Sequence, residues 1–448
     1  MKKHFLTVLL MLPILCLGQA ELEAVFETDP VLNLNGADDP AIWLHPTDPD
    51  LSFFVGTDKQ TLGRLELYNS DGTRFWSTES GTKYNNVDVM YNFEFEGDTI
   101  DVVIASNNSD NTIDIYRVDV ENRNLVDITG STLCDFNNLY GLVAYHDLCN
   151  HKYYVFLTRR TTDGKCYQYE ITDNGNGGVD TELVRILSNL PSRTEGMCAD
   201  YMLGHFYIAE ESIGIWKYGA RPEDGQDRIL MDSVAGPNLT ALVEGLCIYY
   251  SDDSIGYLLA TSQGASNYQV YEREGENEYL GTFSIEENTD AGIDEVNSPD
   301  GIDVISFPFG SNFPQGAFIT QDTQNGVGFT NYKILPWESI AEGLELRIDT
   351  LFNPRYLLPD LCDSLPPLSI SNLEFNQFKV FPNPASDYLN IELNLTASNS
   401  PYQIYDSMGR LVLSGTLNEQ RIYVADLNDG LYYVVVNNSV NTWVKRSK

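Results

Sequence analysis

The sequence predicts an all-β chain, a six-bladed β-propeller followed by a small C-terminal β-sandwich. Three observations carry that reading. Short runs rich in Val, Ile, Tyr and Phe alternate with Asn, Asp and Gly turns along almost the whole chain, which is the pattern of strands rather than helices. Two interleaved repeats recur six times between residues 37 and 335. After Trp337 the repeats stop, and beyond a proline-bearing stretch a second set of short strands begins.

The first repeat is a polar residue, usually followed by glycine, then an apolar run. Its copies are DDPAIWL, NNVDVMY, LYGLVAY, TEGMCAD, VEGLCIY and PDGIDVI, and the polar positions are Asp39, Asn86, Tyr140, Glu195, Glu244 and Asp300, at intervals of 47, 54, 55, 49 and 56. The second repeat follows 14 to 20 residues later as FVGTDK, VIASNN, FLTRRT, YIAEES, LLATSQ and FITQDT, with Gly56, Ala105, Thr158, Ala209, Ala260 and Thr320 as its small residue. Chance can produce one such repeat. Two that keep step six times mark propeller blades, because four short strands and their turns take about 40–50 residues. Stacked β-sandwiches are the alternative for an all-β chain.

Residues 338–358 are expected to hold a short helix and a last strand that closes the ring. The stretch DLCDSLPPLSISNLEFNQF brings prolines and loses alternation, so residues 359–376 read as a linker. Residues 377–448 read as a separate compact sandwich, with strands expected at 388–394, 401–405, 410–414, 421–424 and 431–436.

The opening MKKHFLTVLLMLPILCLGQA has two lysines, an apolar run and a small-residue exit near Gly18 to Ala20. It reads as a secretory signal peptide over residues 1–20, leaving the propeller at 21–358. Cys16 lacks the small preceding residue of a lipid-attachment site. No other stretch approaches the roughly 18–20 apolar residues of a spanning helix. A formal net charge of −38 argues against nucleic acid and anionic membranes as partners. Beyond the leader lie Cys134, Cys149, Cys166, Cys198, Cys247 and Cys362; they have no zinc-like spacing, and Cys198 and Cys247 fall in apolar runs where a buried free thiol is expected.

In a propeller the innermost strand of each blade lines the axis, so equivalent residues form a ring. Asp39, Glu195, Glu244 and Asp300 are therefore expected at one mouth with Asn86 and Tyr140, and the second repeat adds Lys59, Asn108, Arg160 and Glu211. Carboxylates held this close raise one another's pKa unless a cation sits among them. Ca²⁺ suits the set, since it takes six to eight oxygen ligands in flexible geometry. Zinc and copper do not, because His45, His146, His151 and His205 show no ligand spacing. Lys59 and Arg160 beside calcium make an anion-binding surface, to which Tyr140 donates a hydrogen bond. Such a mouth suits a densely phosphorylated substrate. Taken singly, Asp300-Gly301 is equally a hairpin turn, Glu210-Glu211 a solvated pair and Arg159-Arg160 a surface loop. Their equivalence across blades favours a site.

The segments ADDPAIWLHP, NNVDVMY, RTEGMCAD, YIAEES, VEGLCIYY, SPDGIDV and NYKILPW strongly resemble the β-propeller phytases, the calcium-dependent alkaline phytases, in order over about residues 25–345. The resemblance implies a six-bladed propeller that removes phosphate from myo-inositol hexakisphosphate (phytate), presented as its calcium complex, by attack of metal-bound water, with several calcium ions serving structure and catalysis. Carried over, the calcium-binding acids are Asp39, Glu195, Glu211, Glu244 and Asp300. Lys59 and Tyr140 match phosphate-contacting positions, Arg160 replaces a lysine, and Asp294 and Asn331 match structural calcium sites. Lys59, Tyr140, Arg160 and Glu211 are thus the expected catalytic set. The run from Asn85 to Asp88 matches without an assigned role.

The chain departs from the family at three places. Asn108 stands where the family has a phosphate-binding Arg, Leu242 replaces an acid two residues before Glu244, and Thr161 replaces a Glu. These departures keep open a weakly catalytic, calcium-dependent module for phosphorylated ligands, or a propeller hydrolase of another phosphoester or lactone. The last domain resembles a type IX secretion sorting domain on VFPNPASDYLNI, YDSMGRLV and LNDGLYYVVV. That implies passage across an outer membrane through a secretion machinery, removal of this domain, and release or attachment at the outer cell surface; the protein is expected to be a monomer.

Overall fold

Six antiparallel sheets follow one another along the chain in the computed structural model, which describes residues 18–251, 255–325, 328–356, 378–393, 401–406, 411–417, 421–425, 427–436 and 439–446. The inner strands are Ala37–Trp43, Tyr84–Phe95, Leu139–Asp147, Thr194–Asp200, Val243–Tyr250 and Ile302–Ile305. Each lies against the next, and the sixth lies against the first, so the ring closes. This is the six-bladed propeller read from the repeats. The chain divides into two compact units, 1–357 and 358–448.

The closure differs from expectation. Residues 338–356 contribute the expected helix, Trp337–Leu344, and no closing strand among the described residues. Only three strands follow Asp300 before that helix, so blade six lacks an outer edge of its own. The N-terminal strand Phe26–Glu27 supplies it by pairing antiparallel with Asn331–Pro336, and Val25 and Thr28 extend the ladder by donating to the Ile334 and Tyr332 carbonyls at 3.0 and 2.9 Å. Gly18–Glu23 adds a fifth, parallel strand to blade five. Its first half, Gly18 to Ala20, is the end of the segment read as a leader; the rest of that segment, Cys16 included, lies outside the described residues, as does the segment 359–376 read as a linker.

Apolar side chains pack between neighbouring blades. Phe156 stacks on Phe206 at 3.9 Å across blades three and four, and Tyr268 meets Phe318 at 5.2 Å across blades five and six. Cys134, Cys166, Cys198 and Cys247 are buried and free, as expected for the last two, whereas Cys149 is disulfide-bonded.

A strap after the helix packs across the end of the axial channel where the inner strands finish. Tyr249 bonds the Asp349 backbone at 2.9 and 3.1 Å, Phe352 stacks on Tyr250, and Arg355 pairs with Asp101 while facing the Trp43 and Tyr91 rings. The channel cavity there, about 140 Å³, is lined among others by Asp39, Asp88, Asp303, Tyr91 and Phe352. Asp88 accepts from the Ala144 N–H at 2.8 Å and Asp303 from that of Ile42 at 2.7 Å. Each carboxylate thus staples its blade to the next; burial lifts their pKa values to about 6 and about 7 respectively.

The second unit has two sheets, Phe378–Phe381, Tyr388–Leu393 and Arg421–Tyr423 in one and Pro401–Asp406, Leu411–Thr416, Gly430–Val436 and Ser439–Lys445 in the other. All five expected strands are present, with one more at either end. Leu389, Ile391 and Ile422 from the first sheet and Ile404, Val434 and Trp443 from the second form one core, the packing of a sandwich. Among the described residues of the chain, no helix is long and apolar enough to cross a membrane.

Candidate active site

The site begins with an irregularity repeated in five blades. The inner strands shift register between Ala37 and Pro40, Tyr84 and Val87, Leu139 and Leu142, Thr194 and Met197, and Val243 and Leu246. Each shift falls on the polar residue of the first repeat. A bulge breaks strict alternation and re-aims a side chain, and here it turns the polar residues toward the mouth. The glycine that follows allows the blades to close. A Cβ on Gly141 would lie 2.0 Å from the Glu195 carbonyl oxygen, one on Gly196 would lie 1.6 Å from that of Glu244, and one on Gly245 would lie 2.7 Å from that of Asp300. The glycine in RTEGMCAD is therefore required by the next blade. Gly196→Ala is expected to cost roughly 3 kcal/mol or more, because the obstructing atom is backbone. Urea unfolding in the presence of calcium checks this; a loss below about 1 kcal/mol would contradict it.

The bulges bring together two carboxylate triads that share a corner. Ligand atoms of Asp38, Glu195 and Asp300 lie within 4.8 Å of one another, as do those of Glu195, Glu211 and Glu244. All are buried or nearly so. One oxygen of Asp38 and one of Glu244 are buried without a hydrogen-bond partner, an arrangement that is costly unless something else satisfies them. Burial lifts the pKa of Asp38, Glu195 and Glu244 well above the carboxylate range, and neighbouring carboxylates add to it. Lys59 bonds Asp38 and reaches Asp300 at 3.3 Å. Burial pulls the Lys59 pKa down, but Asp38, Asp300 and Glu195 outweigh it and hold the ammonium well above its usual value.

Around the triads stand the polar residues of the other blades. Tyr140 donates to Glu211 at 3.3 Å, and the Arg160 guanidinium lies 5.5 Å from the Tyr140 ring, its side chain exposed. Asn85 donates to Glu195 at 2.5 Å. Asp39 stands beside the triads rather than in either of them: its carboxylate accepts from the Val87 N–H and from the Asn86 amide, both at 3.1 Å, stapling blade one to blade two as Asp88 and Asp303 staple theirs. Asn108 is half-buried at the rim, its N–H on the Lys83 carbonyl.

Asp294 and Asn331 are placed elsewhere. Asp294 meets the fully buried Lys333 ammonium at 2.5 Å, which also pairs with Asp322 at 3.0 Å. Asn331 donates to Glu27 and to the Thr28 carbonyl, while its own side-chain oxygen is buried without a partner.

Two residues of the mouth were not singled out from the sequence. Asp38 is one, although the doubled acid in ADDP was a signal. Arg193 is the other: its guanidinium meets Glu211 at 2.9 Å, and nothing in the repeats marks it.

The fold and this mouth together define a class, a β-propeller with a buried, all-oxygen candidate cation site at one end of its axis. Comparison with known proteins supplies the family. The family model described as Phytase matches residues 14–359, and a 3-phytase of Bacillus subtilis (strain 168) is 40% identical over 328 residues, covering 71% of this chain and 84% of that protein. The chain belongs to the phytase family. The model described as Secretion system C-terminal sorting domain matches residues 379–447, so the protein is secreted or held at the cell surface. Among solved structures, an auxiliary nutrient binding protein of Bacteroides thetaiotaomicron is 10% identical, covers 67% of this chain and 69% of its own, and has a TM-score of 0.44. PorZ of Porphyromonas gingivalis is 12% identical over 92% and 52%, with a TM-score of 0.35. These distant likenesses decide nothing about activity.

Proposed function

We propose that the protein is a calcium-dependent phosphomonoester hydrolase that releases phosphate from phytate, and that the two triads hold the catalytic cations. The observation that carries this reading is the pair of buried triads sharing Glu195, with unsatisfied oxygens on Asp38 and Glu244. The donors are all oxygens, which favours a hard cation over zinc or copper. Asp38, Glu195 and Asp300 would hold one ion and Glu195, Glu211 and Glu244 another, with Asp39 at the edge of the first. Bound calcium would neutralise phosphate charge, polarise a phosphoryl oxygen and ease deprotonation of the attacking water.

The remaining work falls to side chains of this chain. With substrate bound, the Tyr140 hydroxyl turns its hydrogen bond from Glu211 to a phosphoryl oxygen, and Lys59 and Arg160 bring positive charge to the same group. Glu211, whose pKa burial raises, accepts the proton of the attacking water. The water oxygen joins phosphorus, the ester P–O bond breaks, and the leaving inositol oxygen takes up the proton that Glu211 received. Asn108 offers a hydrogen bond but no charge. Asp294 and Asn331 belong to a structural calcium site in this reading; the buried oxygen of Asn331 supports it, and the Lys333 ammonium already on Asp294 competes with it. The sorting domain engages the secretion machinery, and the propeller works as a monomer.

Phosphate release from phytate by the purified protein, with calcium and then with a calcium chelator, tests the reading. Release that falls at least about a hundredfold on chelation and returns with calcium is expected. Release indifferent to chelation, or turnover of another phosphoester but never of phytate, would overturn it.

A further inference from the structure

We propose that Arg193 is a substrate-binding residue of this mouth, contacting a phosphoryl oxygen with the edge of its guanidinium that Glu211 leaves free. The inference rests on the functional reading above, and it starts from the cations available at the acid ring. Lys59 is engaged by Asp38 and Asp300. Arg159 is engaged by the Asn137 backbone and side chain and by Asp163, and lies over Phe136. Arg160 is exposed and lies over the Tyr140 ring, whereas Arg193 is held by an acid of the ring. One nitrogen meets Glu211 at 2.9 Å while the side chain remains 40% exposed and Glu211 only 2%. Its other guanidinium nitrogens form no hydrogen bond to a described residue.

The local chain places it. The Arg193 carbonyl accepts the Glu211 N–H at 2.9 Å, which fixes the base of the side chain beside the carboxylate its tip meets. Arg193 also lies close enough to Glu244 to oppose part of the rise in that residue's pKa. Glu211 thus has Tyr140 on one oxygen and Arg193 on the other. A guanidinium has five N–H donors in one plane and cannot lose its charge at neutral pH. Held at one nitrogen, it keeps its remaining donors near the mouth, so a phosphate meets a cation whose ordering cost is met in part. A mouth of six carboxylates repels phosphate at long range, so a fixed cation at its rim acts on substrate capture.

Arg193→Gln and Arg193→Lys, compared with the parent at saturating calcium, separate binding from support of Glu211. For Arg193→Gln we expect KM for phytate and the inhibition constant of inorganic phosphate to rise about tenfold, with kcat within about threefold and calcium affinity no weaker than the parent's. Arg193→Lys should recover part of the loss. A fall in kcat and calcium affinity at constant KM would mean that Arg193 only steadies Glu211, and unchanged kinetics would remove it from the site; either overturns the proposal. If the parent protein does not hydrolyse phytate, equilibrium binding of inorganic phosphate to the calcium-loaded parent and to Arg193→Gln decides the matter separately. Equal binding by both, or none by either, overturns it.

Discussion

Replacing Glu195 with glutamine is expected to lower phosphate release by about a thousandfold, the largest effect of any single isosteric change in the ring. Glu195 is the corner common to both triads, so one lost charge weakens both cation positions. Glutamine keeps the shape and a side-chain oxygen to accept from the Asn85 amide, so the fold is expected to survive. Without calcium the variant should even be more stable than the parent, because a like charge has left a crowded, buried cluster. Asp38→Asn should lose activity similarly but gain no stability, because Asp38 also pairs with Lys59. Asp39→Asn should differ, since Asp39 stands outside both triads and accepts from Val87 and Asn86; it should lose stability more than calcium affinity. Calcium titration by calorimetry alongside phosphate release checks all three. Activity of Glu195→Gln within tenfold of the parent would contradict the assignment.

Removing calcium is the second large effect, and its sign depends on pH. Burial and mutual repulsion raise the folded-state pKa values of Asp38, Glu195 and Glu244 above those of the unfolded chain. Without calcium the folded protein therefore keeps protons that the unfolded chain has released, and its stability falls as pH rises from the ordinary carboxylate range, about 4, through the raised values. Calcium reverses this trend, because it binds the deprotonated ring and binds more tightly as pH rises. One ion at a hundred times its Kd contributes about 2.7 kcal/mol, so a melting difference on the order of 5 °C or more is expected between calcium and chelator at pH 8. The gap should narrow at pH 5. Asp88 and Asp303, raised to about 6 and about 7, act with the same sign in both conditions, so the difference between the two melts isolates the ring. The raised pKa of Lys59 loses stability only above the ordinary lysine range and leaves this window untouched. A gap that is constant or widens toward acid would contradict the account.

The blade count and the identity of the ring were legible because both rest on equivalence. Glu195, Glu244 and Asp300 recur at one place in successive repeats, and the structure sets them at one mouth. What stayed hidden lacked a counterpart in the other blades or broke strand alternation. Asp38 is the clearest case. Side chains alternate across a strand, so of two adjacent aspartates only one should face the mouth, and Asp39 matched the repeat. The bulge between Ala37 and Pro40 suspends that rule, putting Asp38 in a triad and leaving Asp39 to bond blade two. Arg193 escaped because the position two residues before each marker holds Ala37, Tyr84, Asn138, Arg193, Leu242 and Ser298, which share no chemistry. The closing strand escaped because Phe26–Glu27 is two residues long, too short for any period to show.

Anomalous diffraction from crystals grown with calcium tests the central claim most directly. Two peaks are expected, one within the usual 2.3–2.6 Å of oxygens of Asp38, Glu195 and Asp300 and one at that distance from Glu195, Glu211 and Glu244. Crystals of active protein with calcium at Asp294 or elsewhere, and no peak at either triad, would contradict it.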